Sequence, residues 1–235
     1  MQKSALHCKI PSLQSGQPNY YPVSLNMWKL ISSSRSSYQM LIDSVVPLYQ
    51  FNEIQSIIVR SNTRSSILNA VRDVTPKEIP FLTELFWLRG LPSFIILRKR
   101  YRFSINRKRP LFEQFLASGF ILFAEEEGHE LVVGGIGQFW KLWSGSFPII
   151  ADTEEFLSFN TPNYVKAAIN FYVHQDHGDD RVKVSTQTRF YVPDQITLKK
   201  FARYWFLIHT FSAISRKMWL RTIKHRTENL YQYDP

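Results

Sequence analysis

The chain has 235 residues, enough for one large domain, and its 44% hydrophobic residues can supply a core. Its one cysteine, Cys8, excludes an internal disulfide and a metal site made of several cysteines. The net charge of +10 is uneven, because the acid-free segment 98–109 carries seven of the positive charges.

The first residues differ in composition from the rest of the chain. Residues 1–45 contain SSSRSS and several prolines, which predicts an irregular N-terminal arm. We expect one domain over 46–229 and a loose tail over 230–235. No segment suits a signal peptide or the roughly eighteen apolar residues of a spanning helix. We therefore expect a cytoplasmic location, and a peripheral position at a membrane stays open.

The first half of the predicted domain has one strand followed by helical patterns. EIQSIIVRS is rich in β-branched residues and predicts a strand. Two helical patterns follow, NTRSSILNAVRDV and TPKEIPFLTELFWLRG. In the second, Thr75 is the expected N-cap, Pro76 the first helical residue and Gly90 the stop. After the basic segment, PLFEQFLASG predicts a further short helix.

The second half is dominated by strands and ends in one long helix. FILFAEEE and HELVVGGIGQFW predict a hairpin that turns at Gly128, and residues 165–192 predict a second hairpin. Between them, DTEEFLSFN predicts a helical turn capped by Asp152 or Thr153. Residues 193–227 predict a helix roughly 50 Å long with one apolar side. The order of elements predicts an α+β fold with helices on one face of an antiparallel sheet.

The stretch GGIGQFW (134–140) has two interpretations. A phosphate-binding loop places its glycines between a strand and the N-terminus of a helix. Here QFWKLW follows, which lacks helix-forming signals, and the remaining residues of a nucleotide-binding motif are missing. The sequence therefore favours glycines that let a strand bend or let another group approach closely.

Several stretches resemble the START-like helix-grip superfamily, also called SRPBCC, which includes polyketide cyclases, lipid-transfer domains and pollen allergens. The resemblance covers residues 41–227. LIDSVVPLYQFNEIQSIIVRSNTRSSILNAVRDV is similar to the opening of an uncharacterised bacterial branch of this superfamily. LVVGGIGQFW, YVKAAINFYV and STQTRFYV are similar to its strands, and RYWFLI is similar to its last helix. These motifs concern the scaffold and name no reaction.

The resemblance implies a curved antiparallel sheet wrapped around the C-terminal helix, with two short helices after the first strand. It also implies a cavity between sheet and helix for a lipid-like or polycyclic ligand. Strand alternation independently places a set of residues on the inner face, where residues of the last helix close over them. The predicted ligand-binding residues are Ile169, Phe171, Thr186, Thr188, Phe190, Phe201, Trp205 and His209. Plain core packing is the alternative for the apolar ones, whereas the inward threonine hydroxyls must find partners.

The basic segment 98–109 has three interpretations. Its cations are Arg98, Lys99, Arg100, Arg102, Arg107, Lys108 and Arg109. With Tyr101 and Phe103 between them, these cations suit nucleic acid, through phosphate contacts and base stacking. They equally suit an anionic membrane surface or a solvated loop. Nucleic acid is the less expected partner, because no nucleic-acid-binding module matches the order of elements.

The remaining reactive residues favour structural interpretations. HQDHGDD (174–180) contains candidate metal ligands but falls where a hairpin turn is expected. Glu125–Glu127 adjoin Gly128 at a strand end and are expected in solvent. We expect no metal, no cofactor and no catalytic residue. The leading hypothesis is binding or transport of a hydrophobic small molecule. The alternatives are a cyclase- or hydrolase-like enzyme that uses an inward glutamate or His209, and anionic-surface binding through residues 98–109.

Overall fold

Five antiparallel strands form the centre of the structure, which is a computed structural model. It describes residues 40–61, 63–80, 82, 106–141, 148, 150–174 and 181–233, with side chains to residue 229. The strands are β1 (Phe51–Arg60), β2 (Ile121–Glu126), β3 (Glu130–Gly137), β4 (Val165–Val173) and β5 (Arg181–Tyr191). They form one sheet in the order β1-β5-β4-β3-β2, and every neighbouring pair is antiparallel.

The helices of the described residues are mostly short, apart from the last. They are α1 (Leu41–Val45), α2 (Arg64–Asp73), α3 (Leu111–Ala117), α4 (Thr153–Ser158) and α5 (Gln195–Tyr233). At 1.5 Å per residue, the 39 residues of α5 span about 58 Å. The predicted α+β fold, with an antiparallel sheet and a long C-terminal helix, is confirmed. The expectation that the helices lie on one face of the sheet is wrong, because α1 and α4 pack on the face opposite α5. α1 also forms within the expected irregular arm, and α5 continues into the expected loose tail as far as Tyr233.

The predicted helix over 75–90 does not form at its start. Residues 76–80 are turns, in which the Glu78 N–H donates to the Thr75 carbonyl at 3.0 Å. Pro80 has no N–H and could not donate to the carbonyl four residues earlier, so a regular helix is unfavourable here. Residues 83–90 lie outside the described residues.

Side-chain caps explain where two of the predicted helices begin. The Asp152 carboxylate accepts a hydrogen bond from the Glu155 N–H at 2.8 Å and caps α4. The Asp194 carboxylate does the same for the Thr197 N–H at 2.8 Å, just before α5. The sequence pattern is compatible with Asp152 or Thr153 as the cap of α4, and the structure selects Asp152.

Gly134 lies inside β3 because another part of the sheet comes too close for a side chain. A Cβ at this position would overlap the Ala167 carbonyl oxygen and lie 2.7 Å from the Phe123 ring. The Gly128 φ of +70° suits the tight turn between β2 and β3. At Gly134, the predicted role of close approach within a strand is confirmed.

The outer face of the sheet, opposite α5, is covered by α1 and α4. Glu130 is 1% exposed, and its carboxylate accepts hydrogen bonds from the N–H groups of Leu41 and Ile42 and from Asn170 Nδ2. Arg189 donates to the Asp43 carboxylate at 2.6 Å. These buried polar contacts fix α1 on the sheet and leave the inner face to α2, α3 and α5.

Candidate ligand-binding site

Apolar side chains from the sheet and α5 meet in two clusters on the inner face. We name the first the aromatic cluster; it contains Phe51, Phe139, Phe190, Phe201, Tyr204 and Trp205. The centroid of the Phe190 ring lies 5.0 Å from those of Phe201 and Trp205. The second cluster, the main core, includes Phe171 and Trp219, whose rings meet edge to face at 4.9 Å. These are favourable aromatic geometries, so the helix is firmly packed at both clusters.

A layer of polar side chains lies between the two clusters. β1 contributes Glu53, β5 contributes Thr186 and Thr188, and α5 contributes Arg216. Glu53 lies opposite Thr188 in the β1–β5 register. Thr188 precedes Phe190 of the aromatic cluster by two positions, so both side chains point to the same face of β5. We call Glu53, Thr186, Thr188 and Arg216 the polar layer.

Arg216 connects the members of the polar layer. Its Nη1 donates to Thr186 Oγ1 at 3.2 Å, and its Nε lies 3.7 Å from Glu53 Oε1. The second distance is an ion pair but exceeds that of a hydrogen bond. The side chains of Arg216 and Glu53 are 11% and 9% exposed, and both threonines are 1% exposed. The two charges are therefore largely removed from water.

Several buried atoms in this region lack hydrogen bonds. Within the described part of the chain, no partner is found for Glu53 Oε1 and Oε2, Thr188 Oγ1, Arg216 Nε or Trp219 Nε1. Trp219 follows Arg216 by about one helical turn and shares its face of α5. An unpaired buried polar group costs about 1–3 kcal/mol, and such groups are few in native proteins. Their concentration at one place marks the polar layer as the candidate site.

The electrostatics of the polar layer depend mainly on burial. Burial lowers the pKa of the Arg216 guanidinium, and the negative charge of Glu53 opposes this shift. In a site with little water, a charge interacts more strongly with a polar group placed beside it. The layer offers a donor at Arg216, acceptors at Glu53, and a hydroxyl at Thr188 that can act as either, and Trp219 adds a second donor on the same face of α5.

Seven of the eight predicted ligand-binding residues come together between the sheet and α5. They are Ile169, Phe171, Thr186, Thr188, Phe190, Phe201 and Trp205. The eighth, His209, has an exposed side chain, and its Nδ1 lies 3.0 Å from the Phe206 carbonyl oxygen. The centroid of the His209 ring lies 6.4 Å from that of Trp205, so His209 is an exposed residue at the edge of the aromatic cluster.

Neither charged member of the polar layer was among the residues predicted from the sequence. Strand alternation from Phe51 would have placed Glu53 on the same face as Ile57 and Val59. Helical periodicity from Trp205 would have placed Arg216 on the inner face, about three turns further along. Both signals were present, but a charged residue on an otherwise apolar face is easily assigned to solvent.

The predicted anionic-surface residues are only partly described. Arg98, Lys99, Arg100 and Arg102 lie outside the described residues. Arg107, Lys108 and Arg109 are exposed and lie in the turn before α3. Arg109 forms an ion pair with Glu113 at 3.0 Å, which is a surface contact of small energetic value.

The other reactive groups do not combine into a site in the described ranges. No group of three or more His, Cys, Asp and Glu side chains there is placed to hold a metal ion. Residues 175–180 of the HQDHGDD stretch lie outside the described residues, and His174 Nε2 lies 2.9 Å from Ser185 Oγ. Glu125–Glu127 are exposed, whereas Glu53 points inward next to Arg216 of α5. Among the described helices, none has the length and apolar character required to cross a bilayer.

Comparisons with known proteins add distant structural similarities. No protein-family model matches the chain, and no curated protein matches it. The crystal structure of the hypothetical protein jhp0584 from Helicobacter pylori is similar over 83% of this chain and 98% of its own, with 8% identity and a TM-score of 0.37. That of TTHA0849 from Thermus thermophilus is similar over 77% and 99%, with 7% identity and a TM-score of 0.28.

Proposed function

We propose that this chain binds a small apolar molecule carrying one uncharged polar group, between the sheet and α5 of a START-like helix-grip fold. The observation that carries this proposal is the polar layer with its unpaired buried atoms. The polar layer would bind the polar group of the ligand, and the apolar clusters on either side would contact its body. Small-molecule sites commonly combine an apolar lining with a few polar groups in this way.

The donors and acceptors of the polar layer favour a particular polar group. The Glu53 carboxylate accepts hydrogen bonds, the Arg216 Nε and Trp219 Nε1 groups donate them, and the Thr188 hydroxyl does both. A hydroxyl, phenol or amide can donate to Glu53 and accept from Arg216 at once. A ligand carboxylate would be repelled by the Glu53 charge, which would oppose its attraction to Arg216. Neutral polycyclic or isoprenoid alcohols therefore fit better than free fatty acids.

A purely structural role for the polar layer is the competing explanation. A buried ion pair can fix how a helix lies against its neighbours, while often adding little to stability. The rings of the aromatic cluster also contact one another, so a bulky ligand would have to move them apart. The two explanations differ in whether removing the polar layer changes binding or only folding.

Native mass spectrometry of the chain purified from its own host tests the proposal. We expect an additional mass on the wild-type protein. The double variant Glu53→Met/Arg216→Met should lose that mass, because it removes the side chains proposed to bind the polar group of the ligand. The variant should still fold, because removing both charges together leaves neither buried alone. The control Arg109→Met/Glu113→Met removes the same two charges from an exposed ion pair and should keep it.

A titration with a polycyclic phenol gives a second measurement. We expect a saturable change in tryptophan emission, because Trp205 and Trp219 lie on the inner face of α5. A fatty acid of similar apolar area should bind more weakly. If wild-type protein carries no additional mass and neither probe binds, the polar layer is structural and the proposal is wrong.

The other hypotheses from the sequence remain predictions. A cyclase- or hydrolase-like reaction has no further support among the described side chains, and transport of the ligand depends on the binding proposed here. Anionic-surface binding through residues 98–109 also stays a prediction, because four of its cations lie outside the described residues.

A further inference from the structure

The side of α5 that points away from the sheet has an unusual charge distribution. Residues 195–227 contain no aspartate or glutamate. The exposed cations of this stretch are Lys199, Lys200, Arg203, Lys217 and Arg221. Without acids to neutralise them, these cations give the outer side of the helix a strongly positive surface.

The same side of α5 also exposes large apolar side chains. Phe206 is 77% exposed and Leu207 is 55% exposed, while Ile196 and Ile214 are 69% and 41% exposed. Single exposed apolar residues are ordinary, but an aromatic residue at this exposure beside a second large apolar residue is not. The outer side of α5 is therefore apolar as well as positive.

These residues form one continuous stripe along the helix. The positions 196, 199, 203, 207, 210, 214, 217 and 221 are separated by three or four residues, which places them on one helical face. We call them, with the adjacent Lys200 and Phe206, the outer stripe. The centre of the stripe exposes Phe206, Leu207 and Ile214, with Thr210 between them, and cations lie on both sides of it.

We propose that the outer stripe docks onto an anionic lipid bilayer. Amphipathic helices that lie at a membrane surface combine Lys and Arg with Phe and Leu, whose side chains enter the boundary between headgroups and acyl chains. In α5, Phe206, Leu207 and Ile214 would enter that boundary. The cations on both sides would contact anionic headgroups. Each contact contributes a favourable electrostatic free energy that decays with distance over about one Debye length.

Charge alone would suit nucleic acid, but the centre of the outer stripe argues against it. Phosphate contacts use cations, and single-stranded bases use aromatic stacking. Leu207 and Ile214 would gain nothing from either. Because the inner side of α5 is packed on the sheet, the helix is already ordered and would not have to fold on the bilayer. The inference is independent of the ligand proposal, since Arg216 and Trp219 occupy the opposite side.

Co-sedimentation of the full chain with vesicles tests this inference. We expect binding to phosphatidylcholine vesicles with about 30% phosphatidylserine, little binding to phosphatidylcholine alone, and weakening with salt. Lys217→Gln/Arg221→Gln should weaken binding about 25-fold, from about fivefold for each cation. Phe206→Ser/Leu207→Ser should weaken it at least about tenfold.

Matched controls separate the outer stripe from general charge and apolarity. Lys77→Gln/Lys183→Gln removes two exposed cations elsewhere, and Leu48→Ser/Ile54→Ser removes two apolar side chains that are 72% and 56% exposed. Both should bind like the wild type, and all four variants should keep its melting temperature. Failure of the wild type to prefer anionic vesicles would overturn the inference. So would unchanged vesicle binding by Phe206→Ser/Leu207→Ser with loss only in the charge variant, since a polyanion such as nucleic acid would then fit better.

Discussion

Two threonines on β5 provide a matched test of the polar layer. Thr186 and Thr188 are each 1% exposed and point to the same face of the strand. The Thr186 hydroxyl accepts a hydrogen bond from Arg216, whereas the Thr188 hydroxyl has no partner among the described residues. Valine replaces the hydroxyl by a methyl group and keeps the β-branched shape that strands favour. The two substitutions therefore differ mainly in the hydrogen bond.

The expected changes in stability differ in size and direction. Thr186→Val removes a hydrogen bond to a charged donor, which is worth about 1.5–3 kcal/mol. At about 2–4 °C per kcal/mol for a chain of this size, its melting temperature should fall by about 3–12 °C. Thr188→Val removes a buried hydroxyl without a partner, so the free energy of unfolding should stay unchanged or rise by about 1 kcal/mol.

Urea unfolding of ligand-free protein, followed by circular dichroism, measures both changes. The dependence of the unfolding free energy on urea should be the same in both variants, so that the midpoints report stability. Ligand retention should fall for Thr188→Val if its hydroxyl binds the ligand. The reasoning is refuted if Thr188→Val costs as much stability as Thr186→Val, because the Thr188 hydroxyl would then already have a partner.

Three further substitutions test other buried contacts. Gly134→Ala should lower the free energy of unfolding, measured in urea, by at least about 3 kcal/mol or prevent folding, because the added Cβ would overlap the Ala167 carbonyl oxygen. A small decrease would mean that the two strands separate easily. Glu130→Gln should cost about 1–3 kcal/mol and speed hydrogen exchange at Leu41, because an amide nitrogen cannot accept from N–H groups; unchanged exchange would contradict this. Burial lowers the pKa of Lys166 to about 8 from 10.5. Between these two pH values the unfolded chain binds more protons at Lys166 than the folded chain does, so the contribution of Lys166 to stability rises with pH. Lys166→Met should remove that rise, seen by comparing its urea midpoints with those of the wild type at about pH 7 and pH 10; parallel pH dependences would show that the burial has no such effect.

Local patterns were sufficient for most of the fold. β-branched runs with alternation predicted β1 and β5, and the paired strands joined at Gly128 predicted the β2–β3 hairpin. These elements depend on periodicity and turn chemistry, which a short stretch of sequence contains. The segment at residues 76–80 shows the limit of this approach. Its helical composition is overridden by Pro80, and the chain turns instead.

The polar layer could not be predicted in the same way. Glu53 and Arg216 are 163 positions apart, and each has a pattern that also suits solvent. Only the pairing of β1 with β5 and the packing of α5 against β1 bring them together. The sequence did identify the inward threonines, because alternation within one strand is sufficient to place them. Contacts between distant elements require the packing itself.

α5 departs from the usual amphipathic pattern on both of its sides. A helix that serves only to cover a sheet would place an apolar side chain at 216 and a charged one at 206. Here Arg216 is buried at 11% side-chain exposure, although burial opposes its charge, and Phe206 is 77% exposed, although it would gain from leaving water. Local departures of this kind are expected at functional sites, where recognition outweighs stability. Leu207 and Ile214 of the outer stripe lie on the side of the helix opposite Arg216, with Phe206 at the edge of that side. A ligand and a bilayer could therefore engage α5 together, and the failure of either proposal would leave the other intact.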